Sequence, residues 1–354
     1  MKGWFVAAGA AVAAASATSV ASVGHAAAPC SQALCFSHMV LTDFQRPGVE
    51  PDVKVAPDGT IYSSMPFGFS TTQSFLWYSL DRGNSYQLTP GNLAGKPTTC
   101  VGGGDTDLDI DGRGELYFSD LQGLTDISVS ESGDRGTTFL TNCAGVPNSP
   151  DDRMWYTLTG TLSDGDLNLY QDFDAVDSSP SIGNELVETV SHTGVDGEPP
   201  GTPPTGTTPF QPVLGTSADC TTGSLPNCVT DNEGISGNQV VDPTTGNLFI
   251  SHTDSSGAEV RVAEGKVTPG TTTSATWTES PVLDGSLCPD PPCITGGGTA
   301  EGVAGENFAS IARDSAGYLY VTFTFAPSNG SGLTAPEAIY VVHSLEPATM
   351  SDPS

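Results

Sequence analysis

Four aspartates alternate with other residues in the segment Asp105-Thr-Asp107-Leu-Asp109-Ile-Asp111. Alternate residues of a β-strand share one face, and hard cations such as Ca²⁺ prefer clustered carboxylates. The segment is not an EF-hand loop, because the twelfth position counted from Asp107 is Phe118. Both a cation site at Asp105 and Asp107 and a solvated acidic edge fit this pattern. Calcium is therefore a possible cofactor, and none is expected to be required.

Acidic residues dominate the whole chain. Asp and Glu number 41 against 11 Lys and Arg, which gives a formal net charge of −30. A charge of this sign repels nucleic acid and anionic membrane surfaces, so neither is an expected partner. We expect a glycan or a cell-surface protein as partner, no membrane span, and a monomer.

An eight-residue turn pattern occurs twice in the chain. Ser79-Leu-Asp-Arg-Gly-Asn-Ser-Tyr86 and Ser132-Gly-Asp-Arg-Gly-Thr-Thr-Phe139 share the pattern Ser-x-Asp-x-Gly-x-Ser/Thr-aromatic. The Asp side chain can accept hydrogen bonds from backbone N–H groups two residues on, and the Gly can take the positive φ that closes a tight turn. We assign a structural role to Ser79, Asp81, Gly83, Tyr86, Ser132, Asp134, Gly136 and Phe139.

A second pattern, a strand, a glycine turn and another strand ending in an aromatic residue, recurs five times. Residues 52–62 align with residues 107–117 without a gap, and looser copies surround Gly165, Gly246 and Gly317. With a third and fourth strand per copy, this radial repetition predicts a β-propeller. The predicted inner strands lie near residues 52–56, 107–111, 154–159, 239–242 and 308–313.

The two turns and five hairpins together resemble the Asp-box, or BNR-repeat, propellers of the sialidase superfamily, most closely secreted bacterial sialidase-like proteins. The resemblance covers about residues 48–346. It implies an all-β chain with four-stranded blades, in which a propeller at 48–354 follows an N-terminal segment at 29–47. The same turn also occurs in propellers without sialidase activity, so the resemblance says little about the reaction.

Inner strands of a propeller run in one direction, so the residues that begin them converge at one mouth of the central channel. The turns lie at the opposite face. The residues predicted at the mouth are Glu50, Asp52, Asp105, Asp107, Asp151, Asp152, Arg153, Asn238, Glu306 and Asn307.

For an active sialidase, the resemblance implies three arginines that hold the substrate carboxylate, a Tyr nucleophile backed by a Glu, and an Asp acid/base. Phe44-Gln-Arg46-Pro47 is a shifted version of the family motif that carries the first arginine. No Tyr can be assigned as the nucleophile. The arginines left outside the turns are Arg46, Arg153 and Arg261, and the catalytic candidates are Arg46, Arg153 and Asp107. The sequence therefore predicts a non-catalytic module that binds a glycan or a cell surface, with an exo-α-sialidase as the alternative.

Export is predicted by the N-terminus. Residues 1–28 combine Lys2, an Ala/Val-rich run and small residues at 26–28, which is the pattern of a secretory signal peptide. We therefore expect an extracellular protein. Eight cysteines in an exported chain favour disulfides over a metal site, and their spacing suggests local pairs. These pairs are Cys30 with Cys35, Cys100 with Cys143, Cys220 with Cys228, and Cys288 with Cys293.

Two stretches rich in Pro, Gly and Thr, residues 192–236 and 266–305, are predicted as long loops between blades. A sixth blade does not fit after Ser344. Either the ring is incomplete, as in a truncated product, or residues 36–42 complete a five-bladed ring.

Overall fold

The computed structural model divides into two compact units, Met1–Val40 and Leu41–Ser354. Only residues 39 and 40 of the first unit are described, so the account below concerns the second. The structure describes residues 39–46, 48–66, 74–91, 100, 102–147, 151–179, 183–196, 208–221, 224–231, 234–255, 259–268, 273–283, 302–304, 308–327, 338–345 and 347. The predicted signal peptide, Cys30, Cys35, Cys288 and Cys293 lie outside these residues.

Five small antiparallel sheets form a five-bladed β-propeller, which confirms the predicted fold class. No helix occurs within the described ranges. Blade 1 contains β1 (Asp52–Val55), β2 (Ile61–Met65), β3 (Phe75–Ser79) and β4 (Gln87–Leu88). Blade 2 contains β5 (Thr106–Ile110), β6 (Leu116–Leu121), β7 (Ile127–Ser132) and β8 (Leu140–Asn142).

The remaining three blades follow in chain order. Blade 3 contains β9 (Asp151–Thr159), β10 (Asn168–Ser179) and β11 (Gly183–Ser191), with β12 (Gln211–Pro212) and β14 (Cys228–Thr230) both paired to β11. Blade 4 contains β15 (Ile235–Val241), β16 (Leu248–Thr253), β17 (Val260–Thr268) and β18 (Ser274–Leu283), extended by β13 (Leu214–Thr216). Blade 5 contains β19 (Gly302–Ala304), β20 (Ser310–Arg313), β21 (Leu319–Pro327) and β22 (Ala338–His343).

The inner strands β1, β5, β9, β15 and β20 overlap the five predicted segments. The glycine in each predicted hairpin turn has a positive φ, from 74° at Gly165 to 97° at Gly317. Side chains other than glycine rarely adopt this backbone conformation, which explains why the turn recurs with the same residue.

Both copies of the eight-residue turn form the same hydrogen bonds. The Ser132 hydroxyl accepts the Gly136 N–H at 2.8 Å and donates to the Asp134 carboxylate at 2.9 Å. The Asp134 carboxylate also accepts the Thr138 N–H at 2.8 Å. Asp81 accepts the Ser85 N–H in the same way, at 2.9 Å. The Asp therefore accepts the N–H four residues on, whereas the sequence predicted the N–H two residues on. That N–H, of Gly136 or Gly83, is bonded to the Ser hydroxyl instead.

Four apolar clusters hold successive blades together. They lie between blades 1 and 2 around Leu108, between blades 2 and 3 around Phe173, between blades 3 and 4 around Trp277, and between blades 4 and 5 around Ile311. Among the residues that the structure places, no such cluster joins blade 5 to blade 1.

The two sheet faces at that seam carry exposed apolar side chains. On blade 1, Val53 and Val55 are 54% and 64% exposed, since Asp52 and Lys54 point toward blade 2. On blade 5, Ile339 and Val341 are 78% and 65% exposed. Residues 39–42 form no strand, and residues 36–38 lie outside the described part of the chain.

The prediction of two long loops was wrong in part. The stretch 192–236 contains β12, β13 and β14, and the stretch 266–305 contains the end of β17 and all of β18 and β19. These short strands pair with the outer edges of blades 3 and 4 and with β21, so they satisfy backbone groups that edge strands leave open. Their Pro and Thr content hid them from sequence patterns based on alternation.

Disulfides join Cys100 to Cys143 and Cys220 to Cys228. The first bridge connects the segments that lead into and out of blade 2. The described part of the chain contains no helix long and apolar enough to span a membrane.

Candidate functional site

A cavity of about 400 Å³ opens at the end of the propeller where the inner strands begin. All five blades contribute to its wall. Of the residues predicted at the mouth, those that line this cavity are Glu50, Asp52, Asp105, Asp107, Arg153 and Asn238. Asp151 and Asp152 do not line it, and Glu306 and Asn307 lie outside the described residues.

Arg153 reaches the cavity because of an irregularity in β9. Met154 pairs with Phe173 and Asp152 pairs with Asp174, so Arg153 is an extra residue with no partner on β10. Its φ is +42°, a conformation that arginine seldom takes. Such a bulge turns a side chain away from the regular alternation. Here it directs the guanidinium to the centre of the mouth.

The Arg153 guanidinium connects four of the five blades. It donates to the Glu50 carboxylate of blade 1 at 2.8 Å and to the Asp105 carboxylate of blade 2 at 3.1 Å. Its carbon also lies 3.9 Å from the centroid of the Phe308 ring, just before β20 of blade 5. Two carboxyl groups and an aromatic face thus already surround the one guanidinium that the described residues contribute to the cavity.

Burial raises the pKa of Asp105 to about 7, although the charge of Arg153 opposes this rise. The neighbouring Glu50 and Asp152 carboxylates add to it. For Glu50, burial works in the same direction, but the bond to Arg153 outweighs it and the pKa lies below its usual value. The pair therefore contains one carboxyl that holds its proton near neutral pH and one that stays ionised.

A second carboxyl pair lies deeper in the cavity. Burial raises the pKa of Asp107 well above its usual value, and the charge of Asp52 raises it further. Asp107 accepts the backbone N–H of Tyr156, and Asp52 accepts that of Leu108. The Lys54 ammonium lies 3.8 Å from Asp109, and the surrounding carboxylates raise the pKa of Lys54 in spite of its burial. These contacts fix the floor of the cavity.

Two aromatic residues, Trp155 and Phe308, also line the cavity. Trp155 and Phe308 meet edge to face with their centroids 5.7 Å apart, whereas the ring of the adjacent Tyr156 stacks on Phe210 in the core. None of these aromatic residues was predicted at the site, because only polar residues at strand starts were considered. Trp155 lies in the middle of β9 and Phe308 just before β20, so neither carried a sequence signal that separates it from an ordinary core residue.

Asn238 lines the cavity but serves the contact between blades 4 and 5. Its amide accepts the Ile311 N–H at 2.6 Å and donates to the Ile311 carbonyl at 3.1 Å. The adjacent Gly237 packs so closely on Ala309 that a Cβ at this position would collide with the Ala309 carbonyl oxygen. Asn238 is therefore a clamp between blades, and its amide is not free for a ligand.

The other arginines considered for a substrate carboxylate lie elsewhere. Arg46 bonds Asp43 at 2.9 Å and sits over the Phe75 ring. Arg261 bonds Glu259 at 2.6 Å and Glu279 at 2.9 Å on blade 4. Neither lines the cavity.

The alternating aspartates divide among different roles. Asp105 and Asp107 line the cavity, whereas Asp111 accepts the N–H groups of Arg113 and Glu115 in the turn that follows. Across the part of the chain that the structure describes, no group of three or more His, Cys, Asp or Glu is arranged to hold a metal ion. A calcium site at Asp105 and Asp107 stays a prediction.

No protein-family model matches the chain, and a search of curated proteins finds no sequence relative. The chain is similar to a mutant sialidase from Streptococcus pneumoniae at 14% identity and a TM-score of 0.40, over 71% of this chain and 32% of that one. It is similar to an endo-arabinase from Bacteroides thetaiotaomicron at 14% identity and a TM-score of 0.39, over 73% and 84%.

It is also similar to an intramolecular trans-sialidase from Ruminococcus gnavus at 11% identity and a TM-score of 0.40, over 75% and 46%. The chain thus spans about a third of the length of the first sialidase and less than half of the second. Its function has to be argued from the site itself.

Proposed function

We propose that the protein is an exported, non-catalytic glycan-binding module whose ligand enters the cavity at the mouth of the propeller. The observation that carries this proposal is the composition of the cavity wall. The carboxyl groups of Glu50, Asp52 and Asp105 line the same cavity as Trp155 and Phe308. Pockets for small ligands combine an apolar, aromatic wall with a few fixed polar groups in this way.

Sugars match both halves of this wall. Their hydroxyl groups are donors, and ionised carboxylates can only accept hydrogen bonds. The less polar faces of the sugar ring can cover Trp155 and Phe308. A volume of about 400 Å³ lies within the range of pockets that hold small ligands.

The same wall argues against sialidase activity. A sialoside carries a carboxylate, which needs countercharge, and the best countercharge is a free guanidinium that can bond both oxygens. Among the described residues, Arg153 supplies the single guanidinium that lines the cavity, and it is already bonded to Glu50 and Asp105. A second carboxylate would have to displace one of these partners and would meet the remaining acidic side chains.

The experiment is a glycan array probed with the mature protein, together with an assay of a fluorogenic sialoside. We expect saturable binding to a subset of glycans and no release of the fluorophore. Arg153→Ala should abolish the binding, whereas Arg113→Ala, which removes an exposed pair with Asp164, should not. Hydrolysis that is lost in Arg153→Ala would favour the exo-α-sialidase alternative. Absence of binding to every glycan would overturn the proposal.

A further inference from the structure

The contact between Glu50 and Arg153 joins two residues whose backbones both have an unfavourable conformation. Their φ angles are +50° and +42°, in the left-handed region that side chains other than glycine rarely adopt. Glu50 also precedes Pro51, and a residue before proline prefers an extended backbone. Strain of this kind persists where surrounding contacts hold it, and it is typical of ligand clamps and switch regions. The bonds to Arg153 therefore hold Glu50 at the mouth against the preference of its own backbone.

One nitrogen of the guanidinium contacts two carboxyl groups. The Arg153 Nη1 lies 2.8 Å from the Glu50 Oε2 and 3.1 Å from the Asp105 Oδ1. Burial raises the pKa of Asp105 to about 7, and the hydrogen bond and charge of Glu50 add to this rise, although Arg153 opposes it. Asp105 therefore carries a proton below about pH 7, and both carboxyl groups are ionised above it.

The other charged groups near Asp105 do not offset a second negative charge. Asp152 of β9 also acts on Asp105, and its carboxylate opposes ionisation there. The charged side chains farther along the cavity wall are those of Asp52, Lys54 and Asp107. The ammonium in this set is paired with Asp109. When Asp105 ionises, its carboxylate and that of Glu50 therefore compete for the guanidinium of Arg153.

Exposure decides which carboxylate keeps the guanidinium. The Asp105 side chain is 12% exposed and that of Glu50 is 41% exposed. A buried carboxylate without a cation is costly because water cannot reach it, whereas an exposed one can turn into solvent. The backbone of Asp105 is also fixed in blade 2, because its carbonyl oxygen accepts the Leu121 N–H at 2.9 Å. Glu50 is therefore the group that is displaced, and its release relieves the strain before Pro51.

We propose that residues 48–51, which carry Glu50, form a proton-controlled flap at the mouth of the propeller. With a proton on Asp105, the flap is held to Arg153. Without that proton, Glu50 turns into solvent and the blade 1 side of the cavity opens. As a control of ligand access, this inference rests on the proposed function, because it concerns the same cavity.

The test is hydrogen exchange of the mature protein without ligand, read by mass spectrometry in peptides that cover residues 48–55, at pH 6 and pH 8.5. After correction for the intrinsic exchange rate at each pH, we expect protection of these residues to fall at least fivefold as the pH rises. Asp105→Asn, whose amide stays neutral, should keep its protection within twofold. Glu50→Gln, at an exposed position, should likewise show no dependence on pH. Asp164→Asn, which changes an exposed carboxylate bonded to Arg113, should behave as the parent chain does.

Each other outcome has a distinct meaning. Equal protection at the two pH values in the parent chain would overturn this inference, as would a fall that persists in Asp105→Asn or in Glu50→Gln. A fall that disappears in Asp151→Asn would show general destabilisation by that buried carboxyl group, and it would also overturn the inference. A silent glycan array would overturn the proposed function and leave the flap standing, because the exchange is measured without ligand.

Discussion

The Arg153 guanidinium carbon lies 3.9 Å from the centroid of the Phe308 ring, which places a residue of blade 3 against a residue of blade 5. The same guanidinium bonds Glu50 of blade 1 and Asp105 of blade 2. Arg153, at the centre of the mouth, therefore also connects blade 3 to blades 1, 2 and 5. Changes at Arg153 should affect folding and ligand binding together, whereas changes at Glu50 should affect mainly binding.

We expect Arg153→Ala to lower the free energy of unfolding by about 2 kcal/mol, because it leaves two carboxylates of the mouth without their partner. Arg153→Lys should recover only part of this loss, since an ammonium cannot bond two carboxylates in the planar geometry of a guanidinium or stack on a ring. Urea unfolding of the variants measures both effects. Arg113→Ala is the control and should cost less than about 0.5 kcal/mol, because its pair with Asp164 is exposed. If Arg153→Ala and Arg113→Ala lower the free energy of unfolding by the same amount, Arg153 does not stabilise the contacts between blades.

Asp151 should make stability fall as the pH rises. Its side chain is fully buried, both carboxyl oxygens lack hydrogen-bond partners among the described residues, and burial raises its pKa to about 8, with a smaller contribution from Asp126. The unfolded chain therefore loses this proton from about pH 4, while the folded chain keeps it up to about pH 8. The unfolded state binds fewer protons across this window, so stability decreases with pH.

Asp151→Asn removes this titration. We expect little change at pH 4 and a gain on the order of 5 kcal/mol at pH 8, measured by thermal melts across that range. Asp164→Asn, at an exposed position, is the control. A variant whose melting temperature changes by the same amount at pH 4 and pH 8 would show that Asp151 does not titrate as described.

The turn serines should be important for stability in both copies. Ser132 and Ser79 are buried, and each hydroxyl accepts a glycine N–H at 2.8 Å. Replacing either by Ala leaves that N–H without its acceptor, which should cost about 1–2 kcal/mol in chemical unfolding. The exposed Ser315→Ala should be within about 0.5 kcal/mol of the parent chain. A neutral Ser132→Ala would mean that water replaces the hydroxyl in the turn.

The two disulfides should differ in their contribution. Cys100 and Cys143 are 43 residues apart, whereas Cys220 and Cys228 are 8 apart. A bridge that closes a longer loop removes more entropy from the unfolded chain, so the double Ser variant of the first pair should lose about 3–4 kcal/mol and that of the second pair less. Thermal melts of both double variants measure this difference. The reverse order would indicate that strain or residual structure outweighs loop length.

The sequence contained the repeat but not the bulge. Gly59, Gly114, Gly165, Gly246 and Gly317 fixed the five hairpins, because a positive φ leaves glycine as the residue of choice. The polar residues at strand starts followed from the shared direction of the inner strands. The orientation of Arg153 could not be predicted in this way, because the bulge that turns it depends on how β9 pairs with β10.

Aromatic residues at the site also escaped prediction. Trp155 and Phe308 resemble ordinary core residues in a strand pattern, and only the three-dimensional arrangement shows them lining a cavity. Asn238 shows the opposite error. It was predicted as a ligand-binding residue from its place in the inner strand, but its amide is bonded to the backbone of Ile311 in the next blade. Strand direction predicts which residues meet, whereas the partner of each side chain depends on contacts between distant blades.

The seam between blades 5 and 1 affects how the propeller should come apart. Without an apolar cluster there among the described residues, blades 1 and 5 each pack on one neighbour, as the terminal units of a linear array do. End units can detach singly, so hydrogen exchange should be fastest in β22 and β1 and slowest in blade 3. The contacts of Arg153 with Glu50 and Phe308 should slow this detachment, because they connect blades 1 and 5, the two ends of the array, to blade 3 in its middle.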